Sequence, residues 1–320
     1  MSTLLLTRNK VRELLVMREV IEAVEDAFVV WMEGRAVMPP KAYLVLDKGD
    51  FRAMPVGLPG AAGLKWVNVH PENRVRGLPT VMAVMIYNDP ETGYPLAVMD
   101  ATEITAYRTG AASAIASKYL VRHNSKSLGI IGAGSQAYTQ IKAHIELFEI
   151  NSINVFDLFA DATDTLIKNM PDYPIKSCSL EEASASDIVC TLTTARTPFL
   201  KKEWIIPGTH INAVGADAKG KQELEPSILK GAVVVVDDLE QAKNAGEINV
   251  PVSQGIYSPE EVYATLGEIV TGRKRGRVDD TIITVFDSTG VAIEDLAVAK
   301  LIYEKTKQSG QYTSVDFMRG

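Results

Sequence analysis

Residues 129–137 read GIIGAGSQA, a short apolar run followed by a glycine-rich turn. Apolar residues precede the glycines, and Ile141, Ile145 and Phe148 recur at helical spacing after them. An apolar strand, a glycine turn and an amphipathic helix in this order are typical of the first βα unit of a dinucleotide-binding sheet. The stretch therefore predicts a turn that holds a phosphate against a helix N-terminus.

Two glycines of this turn have separate expected roles. Gly132 makes the tight turn, Gly134 lets the backbone approach a pyrophosphate, and Ala137 stands where a third glycine often lies. The predicted cofactor-binding residues of the turn are Gly132, Gly134, Ser135, Gln136 and Ala137.

Asp157 closes the next apolar run and is the predicted ribose ligand. A carboxylate there repels a 2′-phosphate, and Leu158 and Phe159 offer no cation in its place. The predicted cofactor is therefore NAD rather than NADP. The alternative is that the glycines only shape a turn and that Asp157 caps a loop.

The order of apolar runs predicts an α/β chain with two domains. Closely spaced strands separated by turn residues indicate an antiparallel α+β domain, and strands alternating with helices indicate a Rossmann-type, doubly wound parallel sheet. The predicted antiparallel strands are residues 42–46, 51–55, 63–68, 80–87 and 96–100. The predicted parallel strands are residues 128–131, 154–156, 188–192, 211–214, 233–236 and 282–286. The expected domains are residues 1–117 with 304–320 for substrate binding and dimerisation, and residues 118–303 for NAD binding.

Composition narrows the class of protein. The 320 residues carry a formal net charge of -7, which argues against a surface built for nucleic acid. No apolar run is long enough to span a bilayer, so a soluble cytoplasmic protein without a membrane partner is expected. The two cysteines and four histidines show no metal-ligand spacing, so the chemistry is expected to need no metal.

Four cations of the first domain are candidates for holding a carboxylate substrate: Lys41, Arg52, Lys65 and Arg108. Each alone has the alternative of being an exposed charge. Lys65 and Arg52 interrupt apolar strand-like runs, where an unpaired charge is expensive to bury. These two residues therefore favour a site.

A set of strings in a fixed order carries a resemblance to a known family. They are LKWVNVHP, LPTVMAVMI, ETGYPLAVMD, YRTGAASAIASKYL, IGAGSQA, INAVGADAKGKQEL, GEI and FDSTGVAIED. Together they resemble the ornithine cyclodeaminase and mu-crystallin family over nearly the whole chain, and within it the archaeal alanine dehydrogenases.

The resemblance implies a homodimer, an NAD(P)-binding Rossmann domain and a set of site residues. It implies that Lys65 and Arg108 hold the substrate carboxylate, that Thr80 lies on the nicotinamide side, and that Asp217 lies near the substrate amine. Arg52 departs from the cyclodeaminase pattern, which has a glutamate there. With Lys41, Arg52 instead suits a small substrate with one carboxylate.

The expected reaction is reversible oxidative deamination of L-alanine to pyruvate and ammonia. Asp217 is the first candidate for the acid/base and Lys65 the second, if burial and neighbouring cations lower its pKa. His70 is a weaker candidate, and Asp287 and Ser288 are expected beyond the last strand, near the nicotinamide or in a simple turn. The rivals are reduction of a cyclic imine such as pyrroline-2-carboxylate, then ornithine cyclisation, then non-catalytic ligand binding.

Overall fold

A computed structural model describes residues 2–318 and divides the chain into two units. Unit 1 comprises residues 1–108 and 291–320, and unit 2 comprises residues 109–290. The boundaries expected from sequence, 117/118 and 303/304, fall inside the helices Thr102–Leu120 and Ala292–Ser309. The structure thus divides the first of these helices after its first seven residues, Thr102 to Arg108, and assigns the second to unit 1 as a whole.

Strands and helices follow one another along the chain. The strands are β1 (Thr3–Leu6), β2 (Ala42–Leu46), β3 (Gly49–Leu58), β4 (Ala61–Val69), β5 (Val81–Asn88), β6 (Pro95–Asp100), β7 (Ser127–Ile131), β8 (Ser152–Phe156), β9 (Ile175–Ser177), β10 (Ile188–Thr191), β11 (His210–Ala213), β12 (Ala232–Val236), β13 (Ala264–Thr265), β14 (Ile283–Asp287) and β15 (Thr313–Val315). The α-helices are α1 (Arg8–Leu14), α2 (Met17–Met32), α3 (Thr102–Leu120), α4 (Ala137–Leu147), α5 (Ala160–Asn169), α6 (Leu180–Ser184), α7 (Pro226–Leu229), α8 (Leu239–Ala245), α9 (Asn249–Ser253), α10 (Leu266–Val270) and α11 (Ala292–Ser309). Short 3₁₀ turns lie at Pro71–Arg76, Lys202–Trp204 and Pro259–Glu261.

Unit 1 is built on a mixed sheet in the order β15-β1-β6-β5-β4-β3-β2. The run β2 to β6 is antiparallel as predicted, whereas β1 pairs with β6 in parallel. Alternation along these strands gives the sheet an inner face, which includes Met54, Met85 and Met99, and an outer face that is partly exposed. α11 packs on α2 and on β3 within this unit.

Unit 2 is built on a parallel sheet in the order β13-β12-β14-β11-β10-β7-β8-β9. Successive strand residues alternate between two apolar cores: Ile130 and Val155 belong to one, and Ile131 and Val189 to the other. Apolar cores on both faces are the property that the continuous apolar runs predicted. The Rossmann-type, doubly wound fold class is confirmed.

The strand order of unit 2 reverses at β7. From β7 the chain moves outward through β8 and β9, and then returns to the other side with β10. Open α/β sheets bind ligands beyond the carboxyl ends of their strands at such a reversal. The turn of residues 132–136 lies there, directly after β7.

Among the residues that the structure describes, no helix is both long and apolar enough to span a membrane.

Candidate active site

The glycine turn of unit 2 uses its two glycines in different ways. Gly132 has a φ of 105°, and a Cβ there would lie 3.1 Å from the carbonyl carbon of Leu192. Gly134 has a φ outside the left-handed region, and a Cβ there would meet no described atom within 4 Å. Gly132 is therefore required by the fold itself, whereas the packing within the chain leaves space beside Gly134.

The helix after the turn begins without a side-chain cap from its own N-cap residue. α4 starts at Ala137, and Gln136 at the N-cap makes no side-chain hydrogen bond to the helix. Gly134 and Ser135 are exposed. Uncapped N–H groups and the helix dipole are a favourable environment for a phosphate.

Asp157 lies beside this turn, one residue after β8. One of its carboxylate oxygens accepts a hydrogen bond from the Ala133 N–H at 2.7 Å, and the other from the Phe159 N–H at 2.9 Å. Leu158 and Phe159 are 85% and 66% exposed. The structure thus brings the predicted ribose ligand to the predicted phosphate turn, with apolar side chains next to it and no cation at those two positions.

Unit 1 holds a buried cluster of charges around Lys65 and Arg108. The Lys65 Nζ lies 2.6 Å from an Asp295 oxygen, and the Arg108 Nε lies 3.1 Å from the other. Arg108 also contacts Glu294 at 2.8 Å. All four residues are at most 8% exposed. α11 thus supplies two carboxylates that hold the two predicted substrate-binding cations at one place.

Lys65 has an altered protonation equilibrium. Burial lowers its pKa, the neighbouring charges of Arg108 and Lys41 lower it further, and Asp295 opposes them, so the pKa is about 7. Besides Asp295, its ammonium contacts the Thr105 hydroxyl at 3.4 Å. An ammonium has three N–H groups. One N–H of Lys65 is therefore left without a partner among the described residues.

The other predicted residues of unit 1 lie as follows. The buried Arg52 donates to Asp50 at 2.7 Å, and its guanidinium lies 5.5 Å from the centre of the Tyr43 ring. Lys41 is half-buried, and its charge acts on Lys65. Thr80 lies one residue before β5, and its carbonyl accepts the His70 N–H at 2.8 Å.

No contact between described residues links His70 to the buried cluster of charges. Its Nδ1 pairs with the Asn68 amide at 2.9 Å, and its ring packs edge-on against Phe51. A side-chain partner and an aromatic neighbour explain this histidine as part of the sheet surface.

Two predicted residues of unit 2 follow neighbouring strands. Asp217 lies in the loop after β11 and forms an ion pair with Lys221. Ser288 follows β14, is 3% exposed, and donates its backbone N–H to the Ala213 carbonyl at 2.9 Å. The prediction that Asp287 lies beyond the last strand is wrong by one residue, because it is the last residue of β14 and its carboxylate accepts the backbone N–H groups of Glu247 and Ile248.

Reasoning from the sequence missed the buried carboxylates. Glu294 and Asp295 in unit 1, and Glu223 and Glu247 in unit 2, are all fully buried. A signal was present for the first pair, because both acids stand between Ile293 and Leu296 in a helix that is apolar along its first turns. Acids inside an apolar stretch need partners, which points to the buried cations.

Comparison with known proteins supplies a family and two solved relatives. The model of the ornithine cyclodeaminase/mu-crystallin family matches residues 1–310. The alanine dehydrogenase of Archaeoglobus fulgidus is 52% identical over 321 residues, covering 100% of both chains. An archaeal alanine dehydrogenase dimer with bound NAD superposes with a TM-score of 0.97 at 52% identity, over 99% of this chain and 100% of the other. The pyrroline-2-carboxylate reductase of Thermococcus litoralis, in complex with NADH and L-proline, gives a TM-score of 0.95 at 41% identity, over 98% of this chain and 100% of the other.

Proposed function

This chain belongs to the ornithine cyclodeaminase/mu-crystallin family, and we propose that it is an NAD-dependent oxidoreductase that reversibly converts L-alanine to pyruvate and ammonia. Lys65 supports this proposal, because it is fully buried beside Arg108, its pKa is about 7, and one of its N–H groups has no partner among the described residues. A buried, partly unsatisfied cation pair is suited to a small carboxylate.

The residues of unit 2 fit an NAD molecule. The open space beside Gly134 and the N-terminus of α4 accommodate a pyrophosphate, and Asp157 is placed to accept hydrogen bonds from a ribose. The carboxylate of Asp157 also disfavours the 2′-phosphate of NADP. When bound, NAD supplies the acceptor for the hydride that leaves the substrate Cα.

The residues of unit 1 would bind and orient the substrate. Arg108 keeps its charge because Asp295 and Glu294 outweigh the effect of burial and raise its pKa, so it remains a permanent cation for the substrate carboxylate. Lys41 adds positive charge near Lys65. Arg52, paired with Asp50, is a cation at the position where the cyclodeaminase pattern has a glutamate, which favours a substrate with a single carboxylate over a diamino acid such as ornithine. L-alanine meets these requirements.

Proton transfer in the proposed reaction needs a group that changes protonation near neutral pH. Lys65 has this property, since burial brings its pKa to about 7. Asp217, which the sequence gives as the first candidate, lies in the loop after β11 and pairs with Lys221. The acid/base group would transfer protons to and from the substrate amine and the water that replaces it.

Cyclic imine reduction is the second candidate function. The Thermococcus litoralis reductase, 41% identical to this chain, is named for pyrroline-2-carboxylate. The same carboxylate anchor and hydride donor serve that reaction, and no water is added. The two candidates therefore differ in the substrate and not in the residues proposed here.

We also propose a homodimer. The outer face of the sheet in unit 1 exposes the side chains of Leu44, Trp66, Val84 and Ile86, each 36% to 49% exposed. A contiguous apolar face of this kind marks an interface. The archaeal alanine dehydrogenase that superposes on this chain is a dimer.

The test is NADH oxidation by the purified protein with pyruvate and ammonium, with pyruvate alone, and with pyrroline-2-carboxylate. Turnover that requires both pyruvate and ammonium is the expected result. Turnover only with the cyclic imine would replace the proposed substrate by the second candidate. Tight NADH binding with no turnover of either substrate, and no ammonia release from L-ornithine, would instead indicate a ligand-binding protein.

A further inference from the structure

Unit 2 carries a series of buried carboxylates along the carboxyl edge of its sheet. Its members are Glu223, Glu247, Asp287 and Asp237, each with no exposed surface. All four accept hydrogen bonds from backbone N–H groups of neighbouring loops. Desolvation of a carboxylate costs free energy, so side chains of this kind are an expensive means of filling a core.

Glu223 accepts four hydrogen bonds. One oxygen accepts from the Thr193 N–H at 2.7 Å and from the Thr193 hydroxyl at 2.7 Å. The other accepts from the Thr191 hydroxyl at 2.6 Å and from the Gly215 N–H at 2.9 Å. One side chain thus ties the end of β10 to the loop that follows β11.

That loop carries Asp217, one of the two acid/base candidates. The Asp217 N–H donates to the Gly215 carbonyl at 3.0 Å, so the position of Gly215 determines where Asp217 stands. A Cβ on Gly215 would lie 2.2 Å from the Thr193 carbonyl and 2.6 Å from the Glu223 side chain. The loop therefore begins pressed against β10 with no room to shift inward.

The other side of β10 borders the glycine turn. A Cβ on Gly132 would meet both Leu192 and Thr193 at 3.1 to 3.3 Å. Thr193 is the residue that Glu223 holds by its backbone and by its hydroxyl. Glu223 is thus linked to the loop of Asp217 directly, and to the predicted phosphate turn through one residue.

The carboxylates support one another in sequence. Glu247 accepts the backbone N–H groups of Glu223 and Leu224 at 2.7 to 3.1 Å, and Asp287 accepts those of Glu247 and Ile248 at 2.8 and 3.1 Å. Asp287 therefore holds the backbone that carries Glu247, and Glu247 holds the backbone that carries Glu223.

We propose that Glu223 is a positioning residue that holds the Asp217 loop in place for proton transfer. This rests on the proposed function, since it gives Asp217 a role in the reaction. Glu223 itself acts only through the backbone of Gly215 and does not act as the acid or base.

The test is a double-mutant cycle of Glu223→Gln with Asp217→Asn, assayed as NADH-dependent turnover of pyruvate and ammonium, or of pyrroline-2-carboxylate if that is the substrate. Glutamine keeps the size of the side chain but presents an NH₂ group to donors. A displaced catalytic group can cost about 10²-fold in rate. We expect Glu223→Gln to lower kcat by roughly 30-fold or more in the wild-type background and by less than about 3-fold in the Asp217→Asn background.

The matched control is Asp187→Asn, at the amino edge of the same sheet. Asp187 accepts N–H and O–H hydrogen bonds from Lys126 and Ser127 at 2.8 to 3.0 Å, so its substitution also removes a partly buried acceptor. We expect this variant to lower Tm but to leave kcat within about 3-fold in both backgrounds. An equal fall of kcat on Glu223→Gln in both backgrounds would overturn the proposal, because it would mean a general structural effect.

Hydrogen–deuterium exchange gives a second measurement that does not depend on turnover. We expect Glu223→Gln to accelerate exchange of the amides of residues 215–217, and Asp187→Asn to leave it unchanged. Unchanged exchange in the Glu223 variant would overturn the positioning role even if Asp217→Asn proved too slow to assay. An inactive wild-type protein would contradict the proposed function, while the exchange comparison would still decide whether Glu223 holds the loop.

Discussion

At the scale of single residues, Gly132 and Gly134 separate the needs of the fold from the needs of a ligand. Gly132 has a left-handed φ and a close backbone neighbour, whereas a Cβ on Gly134 would meet no described atom within 4 Å. The sequence predicts a separate role for each position, the tight turn for Gly132 and the approach of a pyrophosphate for Gly134. In the structure, the φ and the close packing of Gly132 require a glycine there, whereas the space beside Gly134 is open to a ligand.

We predict that Gly134→Ala lowers the affinity for NADH by about tenfold or more with Tm unchanged, because the new methyl group occupies the space proposed for the pyrophosphate. Gly132→Ala, the matched variant, should lower Tm, because its φ is unfavourable for alanine. Fluorescence titration with NADH and thermal denaturation measure the two effects. An unchanged NADH affinity in Gly134→Ala would move the phosphate away from this turn.

The protonation of Lys65 depends on its neighbour Asp295. Asp295 raises the pKa of Lys65 against the effect of burial, so Asp295→Asn should take that pKa below about 7. If Lys65 accepts the proton in the oxidative direction, the acidic limb of the pH profile of kcat/KM then moves to lower pH.

Glu294→Gln provides the control for this prediction, since Glu294 contacts Arg108 and not Lys65. Its profile should keep the acidic limb where the wild-type protein has it. An acidic limb that does not move in Asp295→Asn would assign the titration to another group, of which Asp217 is the first to examine.

At the scale of elements, the outer face of the sheet in unit 1 is the feature with a testable consequence. Val84 and Trp66 are register partners on neighbouring strands, and both are exposed. A glutamate at the centre of an apolar interface would be buried without a partner. We therefore predict that Val84→Glu shifts the protein toward the monomer in sedimentation, with little change of its fold.

The control for this prediction is Val16→Glu, at the boundary of α1 and α2, where the side chain is 49% exposed. The same charge there should leave the assembly unchanged. A Val84→Glu protein that sediments like the wild type would exclude this face as the interface.

The elements also show which parts of the fold a single sequence can predict. Strands that are buried on both faces, such as β7 and β12, can be predicted because they are continuous apolar runs. The edge strands β9, β13 and β15 have two or three residues each, too few to show alternation. β1 is an apolar run of only four residues, and its pairing with β6 depends on residues far along the chain.

At the scale of the whole molecule, the same limit applies to the site. The glycine turn and Asp157 lie within one βα unit and the following strand, so local pattern was sufficient to bring them together. Lys65, Arg108 and Asp295 come from a strand and two helices far apart in sequence. Composition and spacing identify such residues as costly charges but do not identify their partners, which only the tertiary fold determines.

Two buried histidines make the stability of the fold depend on pH. Burial lowers the pKa of His144 to about 4 and that of His210 to about 3. His144 Nε2 pairs with the Ser117 hydroxyl at 2.9 Å, and His210 Nδ1 with the Thr284 hydroxyl at 2.8 Å. The hydrogen bonds of both rings form while the rings are neutral. Protonation of either ring would therefore place a positive charge in the core.

The sign of the pH effect follows from these shifts. Between the unfolded pKa of about 6.5 and the folded values, the unfolded chain binds more protons than the folded one. The contribution of these two rings to the free energy of unfolding should therefore be fully present above about pH 6.5. It should fall as the pH drops toward 4, by about 1.4 kcal/mol per pH unit for each histidine. The buried Asp287, whose pKa burial raises to about 8, contributes with the opposite sign between about pH 4 and 8.

Variants separate the contribution of one histidine ring to stability from that of Asp287 and the other buried carboxylates. We predict that His144→Gln lowers the urea midpoint at pH 7.5 but loses less of it between pH 6.5 and 4.5 than the wild-type protein does, as followed by circular dichroism. His123→Gln, at an exposed position, should keep the wild-type slope. Identical slopes for His144→Gln and the wild type would mean that acid unfolding is controlled by the carboxylates, and that the ring at position 144 is charged at no cost to the fold.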